Sequence, residues 1–289
     1  MLTRRLLLPL VLLSLTVAVS ACGSSNDSSS SSSATSTTTT AASCSMADLA
    51  LVKSGTLSIG TDKPGYPPYI VDDKPTNGKG FESAVSYAIA KQLGFTKDQV
   101  KWVVVPFNSS YAPGPKKFDF DINQISISPA RARAVDFSTP YYTAPQTVLA
   151  LKGTPAGSAT DVAGLKDAKI GVQIGTTSLK AVTDTIQPSQ QPSVFNDSND
   201  TVRALKNKTV DAIVVDVPTA VYLRDFEVKK SVVAGTFGGV GTPWGVVLGK
   251  GSKLTACIDQ AIGKLRASGE LAAITKQWMG PYTKAPQLG

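Results

Sequence analysis

The chain has 289 residues, a length that suits a core of about two domains, and it contains no histidine. The lack of histidine excludes Ser-His-Asp and Cys-His catalysis and most zinc sites. The 29 basic and 21 acidic residues give a net charge of +8, but the basic residues are scattered along the chain. We therefore expect ordinary surface charge and no nucleic-acid-binding site.

The N-terminal segment differs in composition from the rest of the chain. Two arginines followed by an apolar run are typical of an export signal, here over residues 1–21. Cys22 follows the small residue Ala21, which predicts lipoprotein cleavage and acylation of Cys22. A plain secretory signal ending at Ala21 is the alternative, and Sec and twin-arginine export both stay open. Residues 22–43 are rich in Ser, Thr and Ala and predict a flexible tether, so we expect a protein held by lipid on the outer face of the bacterial cell membrane.

The chain has three cysteines, Cys22, Cys44 and Cys257. If lipid takes Cys22, an even pair remains in an oxidising compartment, which predicts a disulfide between Cys44 and Cys257. Two unrelated buried thiols are the alternative.

The folded part is expected to begin near Cys44 and to alternate strands with helices. Over 194–215 a strand, a helix and a strand follow one another, which is typical of a βαβ unit and predicts a parallel sheet there. Gly239-x-Gly241 after a strand is a weak indication of a dinucleotide-binding loop, because Pro243 and Trp244 interrupt the helix that such a loop requires. In chain order, the pattern predicts a helix over 46–53, a strand over 56–60, a helix over 80–93, strands over 100–106 and 118–123, a short helix from 128, a strand over 147–151, a short helix over 160–165, a strand over 169–175, a helix after 178, a strand over 194–199, a helix over 199–205, strands over 209–215 and 246–248, and helices over 254–267 and 271–278.

The stretch from Phe118 to Tyr142 contains the residues that most clearly indicate a binding site. The extended pattern breaks at Ser128-Pro129, where Ser suits a helix N-cap and Pro the first helical position. Arg131 then lies in the first turn, close in sequence to the hydroxyl of Ser126. Helix amides and a guanidinium together bind a carboxylate well. A solvated arginine on a capped helix is the alternative.

The same stretch resembles the ligand-carboxylate motif of the periplasmic solute-binding proteins for polar amino acids, the binding components of ABC importers. The residues that carry the resemblance are the run 126–131, Ser-Ile-Ser-Pro-Ala-Arg, and the run 135–142, Val-Asp-Phe-Ser-Thr-Pro-Tyr-Tyr. Ala130 departs from the acid that is usual in the family, and Asn123-Gln124 replaces the usual small residues, which predicts a reshaped pocket floor. The resemblance covers about Gly55 to Pro281.

The resemblance implies an α/β, two-lobed fold of the periplasmic-binding-protein type II class, with two crossovers and a ligand cleft between the lobes. We expect the cleft to close on the ligand by a hinge motion. The predicted boundaries place residues 44–145 in the first lobe, 146–239 in the second lobe, and 240–289 in the part of the first lobe to which the chain returns.

Ligand contacts are also implied residue by residue. In the family, matching positions bind the carboxylate, hold the ammonium or stack on the ligand side chain. Several positions keep a structural alternative: core packing for Tyr66 and Phe107, a plain helix cap for Thr176, and an N-cap before Pro218 for Asp216. Glu82 is expected to be structural, with contact to the cleft left open. The implied ligand-binding set is Asp62, Tyr66, Phe107, Asn108, Gln124, Ser126, Arg131, Gln173, Thr176, Thr177 and Asp216.

The function implied is capture of a polar amino acid and delivery to a membrane-embedded ABC permease by a monomeric lipoprotein. No catalytic residue, cofactor or metal is expected. One alternative is a dehydratase of prephenate-like or arogenate-like substrates on the same fold, although glutamates, which such chemistry needs as proton donors, are scarce. Another alternative is a lipoprotein that senses the ligand without transport.

Overall fold

Two five-stranded sheets organise the computed structural model, which describes residues 44–289. Sheet 1 has the strand order β2-β1-β3-β10-β4, and sheet 2 has the order β7-β6-β8-β5-β9. The strands are β1 (Leu57–Thr61), β2 (Val100–Val104), β3 (Phe120–Asp121), β4 (Val135–Phe137), β5 (Tyr142–Leu151), β6 (Ile170–Gln173), β7 (Ser193–Phe195), β8 (Ala212–Asp216), β9 (Ser231–Trp244) and β10 (Val247–Gly249).

Helices cover both sheets and define two lobes. Lobe 1 comprises sheet 1 with α1–α3, α7 and α8, and lobe 2 comprises sheet 2 with α4–α6. The α-helices are α1 (Phe81–Gln92), α2 (Phe107–Ser110), α3 (Pro129–Ala132), α4 (Thr177–Ala181), α5 (Ser198–Lys206), α6 (Val217–Tyr222), α7 (Thr255–Ala267) and α8 (Glu270–Met279). Short 3₁₀ turns occupy Met46–Asp48, Pro75–Asn77, Lys97–Gln99, Pro155–Ser158, Ala163–Leu165 and Gly280–Tyr282, and π-helical turns occupy Val182–Ile186 and Leu223–Glu227.

The core of lobe 1 lies between sheet 1 and the helices α1, α7 and α8. Apolar residues of β1 and β3 face it, as Leu57, Ile59 and Phe120 show by having no exposed surface. Cys44 and Cys257 form a disulfide with Cα atoms 5.4 Å apart, which confirms the predicted pairing and ties the start of the described chain to α7.

Two long strands carry the chain between the lobes. β5 and β9 run antiparallel from the Tyr142–Trp244 pair, at the lobe 1 end, to the Leu151–Ser231 pair deep in sheet 2. Trp244 is fully buried, and the rings of Tyr142 and Tyr69 lie 4.9 and 5.8 Å from it. Residues 283–289 form an additional connection, since they leave α8 and hydrogen-bond to β9 in sheet 2.

The structure corrects two predictions of secondary structure. The helix predicted over 46–53 is only the single turn Met46–Asp48, because the carboxylate of Asp119 accepts a hydrogen bond from the backbone of Val52 at 2.6 Å and holds that segment extended. Sheet 2 is mixed rather than parallel, because the crossover strand β5 pairs antiparallel with both β8 and β9. Sheet 1 is also mixed, because β10 pairs antiparallel with both β3 and β4. β6 is parallel to β7 and β8, as the pattern predicts.

Candidate functional site

A cavity of about 830 Å³ lies between the two lobes. Loops at the carboxyl ends of β1, β2 and β3 line it from lobe 1, and the segments after β6, β7 and β8 line it from lobe 2. Ligand sites in open α/β sheets occur at these strand ends. All eleven residues of the predicted ligand-binding set line this one cavity. The structure thus brings the whole set together, and the role of each residue stays a prediction.

Arg131 is fixed by backbone carbonyls from both lobes. Ser128 caps α3, its hydroxyl accepting from the backbone N–H of Arg131 at 3.3 Å. The guanidinium is buried, with Nη1 donating to the Ser126 carbonyl at 2.7 Å and Nη2 to the Gly175 carbonyl at 2.8 Å. Burial lowers the pKa of Arg131 and nearby Tyr111 raises it. Since an arginine does not deprotonate in proteins, a full positive charge faces the cavity.

Hydroxyl groups from lobe 2 and the crossover strand meet at Ser126, whose carbonyl accepts from Arg131. Ser126 Oγ lies 3.1 Å from Thr177 Oγ1 in lobe 2 and 3.1 Å from Thr242 Oγ1 on the crossover strand β9. Thr176 uses its hydroxyl to cap α4: Oγ1 accepts from the backbone N–H of Leu179 at 3.1 Å and donates to the Gln173 carbonyl at 2.7 Å. Thr176 therefore lines the cavity while making the cap contacts of its structural alternative.

Asp216 faces the cavity from the end of β8. Asp216 is the N-cap residue of α6, as its structural alternative predicts, but its side chain makes no capping hydrogen bond to the helix. Instead, Oδ1 accepts from Gln146 Nε2 at 2.5 Å, and Gln146 Oε1 accepts from Ser178 Oγ at 2.6 Å. Desolvation raises the pKa of Asp216 to about 7, although the Gln146 hydrogen bond and the charge of Arg131 lower it. The cavity therefore contains an acid that accepts one side-chain hydrogen bond and can accept more.

Gln124 forms the pocket floor and is held by a buried acid. Its backbone is left-handed, with φ 48°. Glu82 accepts from the Gln124 backbone N–H at 2.7 Å and from Gln124 Nε2, and it accepts from the Tyr141 hydroxyl at 2.5 Å. Desolvation raises the pKa of Glu82 to about 7 against these three donors. Glu82 itself does not line the cavity, so it acts on the site through Gln124.

Tyr66 and Phe107 line the cavity in different surroundings. Tyr66 is 41% exposed, and its hydroxyl donates to Asn199 Oδ1 of lobe 2 at 2.8 Å. Phe107 is half-buried, and its ring lies 5.5 Å from the Arg131 Cζ atom. Stacking of either ring on a ligand side chain stays a prediction.

The polar side chains of the predicted ligand-binding set form hydrogen bonds with neighbouring residues. Asp62 accepts from the backbone N–H groups of Lys63 at 2.7 Å and Phe107 at 3.2 Å, and burial raises its pKa. Asn108 Oδ1 accepts from Tyr111, and Gln173 Oε1 accepts from Ser198 Oγ at 2.6 Å. These bonds fix the orientation of the polar wall.

Sequence reasoning missed several residues of the site. Tyr69 and Thr219 join their hydroxyls across the cavity at 2.8 Å, and Lys206 pairs with Glu227 at 2.8 Å along its lining. Gln146 was missed because its position opposite Asp216 depends on the antiparallel register of β5 and β8. A polar residue at the start of a crossover strand was the only available signal.

Residues 44–289 contain no candidate for either of two other kinds of site, a metal site and a membrane-spanning helix. No group of three or more cysteine, aspartate or glutamate side chains is placed to hold a metal ion in this range. In the same range, no helix is both long enough and apolar enough to cross a membrane. The predicted lipidation site Cys22 lies outside the described residues.

Known proteins with similar sequences and structures are binding proteins. The L-cystine-binding protein TcyJ of Escherichia coli is 30% identical over 250 residues, covering 82% of this chain and 88% of that protein. The arginine-, lysine-, histidine-binding protein ArtJ of Geobacillus stearothermophilus superposes with a TM-score of 0.67 at 27% identity, covering 81% of this chain and 97% of that one. An ancestral amino acid-binding protein described as a precursor of cyclohexadienyl dehydratase superposes with a TM-score of 0.65 at 30% identity, covering 78% and 95%.

The sequence profile of one family matches residues 57–281, which include both sheets and the whole cavity. The two-lobed architecture and the relatives agree with that match. The chain therefore belongs to the bacterial extracellular solute-binding proteins, family 3.

Proposed function

We propose that this protein captures a free polar amino acid between its two lobes. The observation that supports this most is the pairing of opposite charges across one cavity, with Arg131 in lobe 1 and Asp216 in lobe 2. A guanidinium suits an α-carboxylate, and a carboxylate suits an α-ammonium group. An amino acid that bridges the two would stabilise the closed arrangement over an open one.

The ligand class is inferred from the cavity lining and the relatives. Gln124, Asn108 and Gln173 give the lining amide groups beyond the charged pair. The names of the relatives specify cystine in one case and arginine, lysine and histidine in another, which are polar ligands. Both lines of support favour a polar amino acid over an apolar one.

Family membership and the N-terminal sequence support a role in delivery. We infer that the protein is a monomer, that acylated Cys22 anchors it outside the cell membrane, and that the tether over 22–43 lets it reach an ABC permease. Mass spectrometry of the mature protein tests the anchor. An unmodified N-terminus at Cys22 or elsewhere would contradict it.

A thermal-shift screen tests capture. The purified protein, stripped of bound ligand, is heated with each of the twenty amino acids, L-cystine, and a set of sugars and cyclic acids. We expect at least one polar amino acid to raise the melting temperature by mass action. Arg131→Lys keeps the charge but loses the planar fork of donors. The ligand concentration that gives a stated rise in melting temperature should therefore be at least tenfold higher for this variant than for the wild type.

The matched control for that variant is Arg133→Lys, two residues along the same segment and exposed. It should keep the wild-type shift. Each variant is compared with its own ligand-free melting temperature, so that a change in stability does not imitate a change in binding. Stabilisation by a sugar or cyclic acid but by no amino acid would show the amino-acid assignment to be wrong.

A dehydratase is the second candidate. The similarity to a precursor of cyclohexadienyl dehydratase favours it, as does Asp216, whose pKa near 7 suits a proton donor. Incubation with prephenate and arogenate, followed by chromatography of the products, separates the candidates. Turnover that is lost in Asp216→Asn would establish the enzyme, and no turnover with retained amino-acid binding would leave the binding protein.

A further inference from the structure

Tyr111 lies outside the predicted ligand-binding set but touches its central residue. It directly follows α2, and its ring centroid lies 4.3 Å from the Cζ atom of Arg131, a cation–π distance. Phe107 packs edge-to-face on Tyr111 with ring centroids 5.5 Å apart. The two rings cover one face of the guanidinium and so fix the orientation of its plane. The N–H groups of Arg131 that make no protein hydrogen bond lie in that plane, which borders the cavity.

The hydroxyl of Tyr111 also reaches the opposite lobe. It lies 3.1 Å from the Gly175 carbonyl of lobe 2, and its single proton is shared between that oxygen and Asn108 Oδ1. Arg131 Nη2 donates to the same Gly175 carbonyl at 2.8 Å. Two donors of lobe 1 therefore converge on one acceptor of lobe 2.

Gly175 allows this approach because it has no side chain. A Cβ atom there would lie 2.4 Å from Asn108 Oδ1 and 2.7 Å from the Tyr111 hydroxyl, both too close for real contacts. Its φ of +75° is also one that other residues rarely adopt. The contact between the lobes thus depends on a glycine at this position.

We propose that Tyr111 is a positioning residue that couples ligand-carboxylate binding to lobe closure. Tyr111, Arg131 and Gly175 are called the latch below. The stacking contact lies within lobe 1 and holds the guanidinium plane whether the lobes are open or closed. The hydrogen bonds to Gly175 exist only when the lobes meet, so they stabilise the closed state alone. This inference rests on the proposed function, because the latch acts on a carboxylate bound at Arg131.

Two substitutions separate the roles of the ring and the hydroxyl. Tyr111→Phe keeps the stack and removes the contact with Gly175, so dissociation of the ligand should accelerate about fivefold with little change in association. Tyr111→Leu also removes the stack, and the affinity should fall a further threefold or more. Rates are measured by stopped-flow tryptophan fluorescence with the amino acid, from the twenty or L-cystine, that most stabilises the wild type. Dissociation within twofold of wild type in both variants would overturn the proposal.

A glycine pair provides the matched control for closure. Gly175→Ala introduces the clash with Asn108 and Tyr111, whereas Gly153→Ala has a similar φ of +81°, lies in the same lobe and meets nothing within 4 Å. Small-angle X-ray scattering should show that Gly175→Ala stays more extended than wild type, while Gly153→Ala does not. Equal radii of gyration for Gly175→Ala and wild type, with and without the amino-acid panel, would overturn the latch.

The outcomes distinguish the two proposals. If no amino acid changes the wild type, the proposed function is wrong, and the ligand-free scattering of Gly175→Ala still decides whether the latch exists. If an amino acid binds the wild type and all the latch variants alike, the proposed function stands and the latch is wrong.

Discussion

Lobe 1 contains two acidic side chains with no exposed surface, Glu82 and Asp121, and they are paired very differently. Glu82 accepts three hydrogen bonds from Gln124 and Tyr141. Neither carboxylate oxygen of Asp121 has a hydrogen-bond partner among the described residues. Burial raises the pKa of both, and the charges of Glu82 and Asp62 raise that of Asp121 further.

The difference shows that burial alone does not give an acid a role. Glu82 has hydrogen-bond partners and holds Gln124 in its left-handed conformation. The hydrogen bonds of Glu82 therefore fix the pocket floor. Asp121 makes no hydrogen bond among the described residues, and only the charge of Lys116 lowers its pKa. A buried polar group without a hydrogen bond is destabilising.

Asp216 lies between these two cases. It accepts one hydrogen bond, from the Gln146 amide, and it can accept further hydrogen bonds from the cavity side. Four predictions test whether the hydrogen-bond partners of these three acids decide their contributions.

Removing the paired acid should have the largest effect. Glu82→Leu leaves the donors of Gln124 and Tyr141 buried without an acceptor, so the free energy of unfolding should fall by about 3 to 5 kcal/mol. Urea denaturation at about pH 4.5, where Glu82 is protonated in the folded state and its raised pKa costs little stability, followed by circular dichroism measures it for both this variant and Glu82→Gln. Glu82→Gln keeps a carbonyl acceptor and should lose about 1 kcal/mol. A loss below about 1 kcal/mol in Glu82→Leu would show that the three hydrogen bonds do not hold the floor.

The pH dependence of stability should report the same acid. The Glu82 carboxyl keeps its proton up to about pH 7 in the folded protein and loses it near its ordinary value of 4.5 when unfolded. The folded state therefore binds the additional proton between these values, and the contribution of Glu82 to stability decreases as pH rises through them, by about 3 kcal/mol in total. Denaturation midpoints from pH 4.5 to 8 measure the trend. Parallel curves for wild type and Glu82→Gln would contradict it.

Much of this site could be predicted from the sequence because its groups belong to contiguous patterns. The N-cap and the arginine in the run from Ser126 to Arg131 need only local geometry, and Ser128 caps α3 as predicted. The Cys44–Cys257 disulfide followed from counting cysteines. These features depend on neighbours in sequence or on chemistry that leaves few partners.

The remaining features depend on contacts between distant segments. Glu82 could be placed in the first turn of α1, but the residues that cover it, Gln124 and Tyr141, are 42 and 59 positions away. Tyr111 lies in a stretch of Ser, Pro and Gly without a periodic pattern, so nothing indicated its contact with Arg131. Such contacts follow from the packing of distant segments within lobe 1 and are not encoded in local propensity.

Replacing the unpaired acid should stabilise the protein. Asp121→Val removes a carboxyl group that has no partner from a site next to the apolar residue Val105, so the free energy of unfolding at pH 7 should rise by about 1 to 3 kcal/mol. Asp121→Asn is the matched control, because it removes the titration but leaves an unpaired polar group, so its gain in stability should be smaller than that of Asp121→Val. Urea denaturation compares the three proteins. A less stable Asp121→Val would mean that the carboxyl has a partner after all, for example an ordered water.

Asp216 should give the smallest effect, and one that appears only with ligand. If an α-ammonium group pairs with Asp216, binding lowers its pKa from about 7, so binding near and below neutral pH releases a proton. The affinity should then weaken as pH falls below about 7, by at most about tenfold per pH unit. Isothermal titration calorimetry in buffers of different ionisation enthalpy measures both the affinity and the proton count. Asp216→Asn should bind more weakly without this pH dependence, because its amide does not titrate. Equal wild-type affinity at about pH 5.5 and pH 8 would place the ammonium elsewhere, and Asp216 would then resemble Glu82, an acid whose partners are supplied by the protein alone.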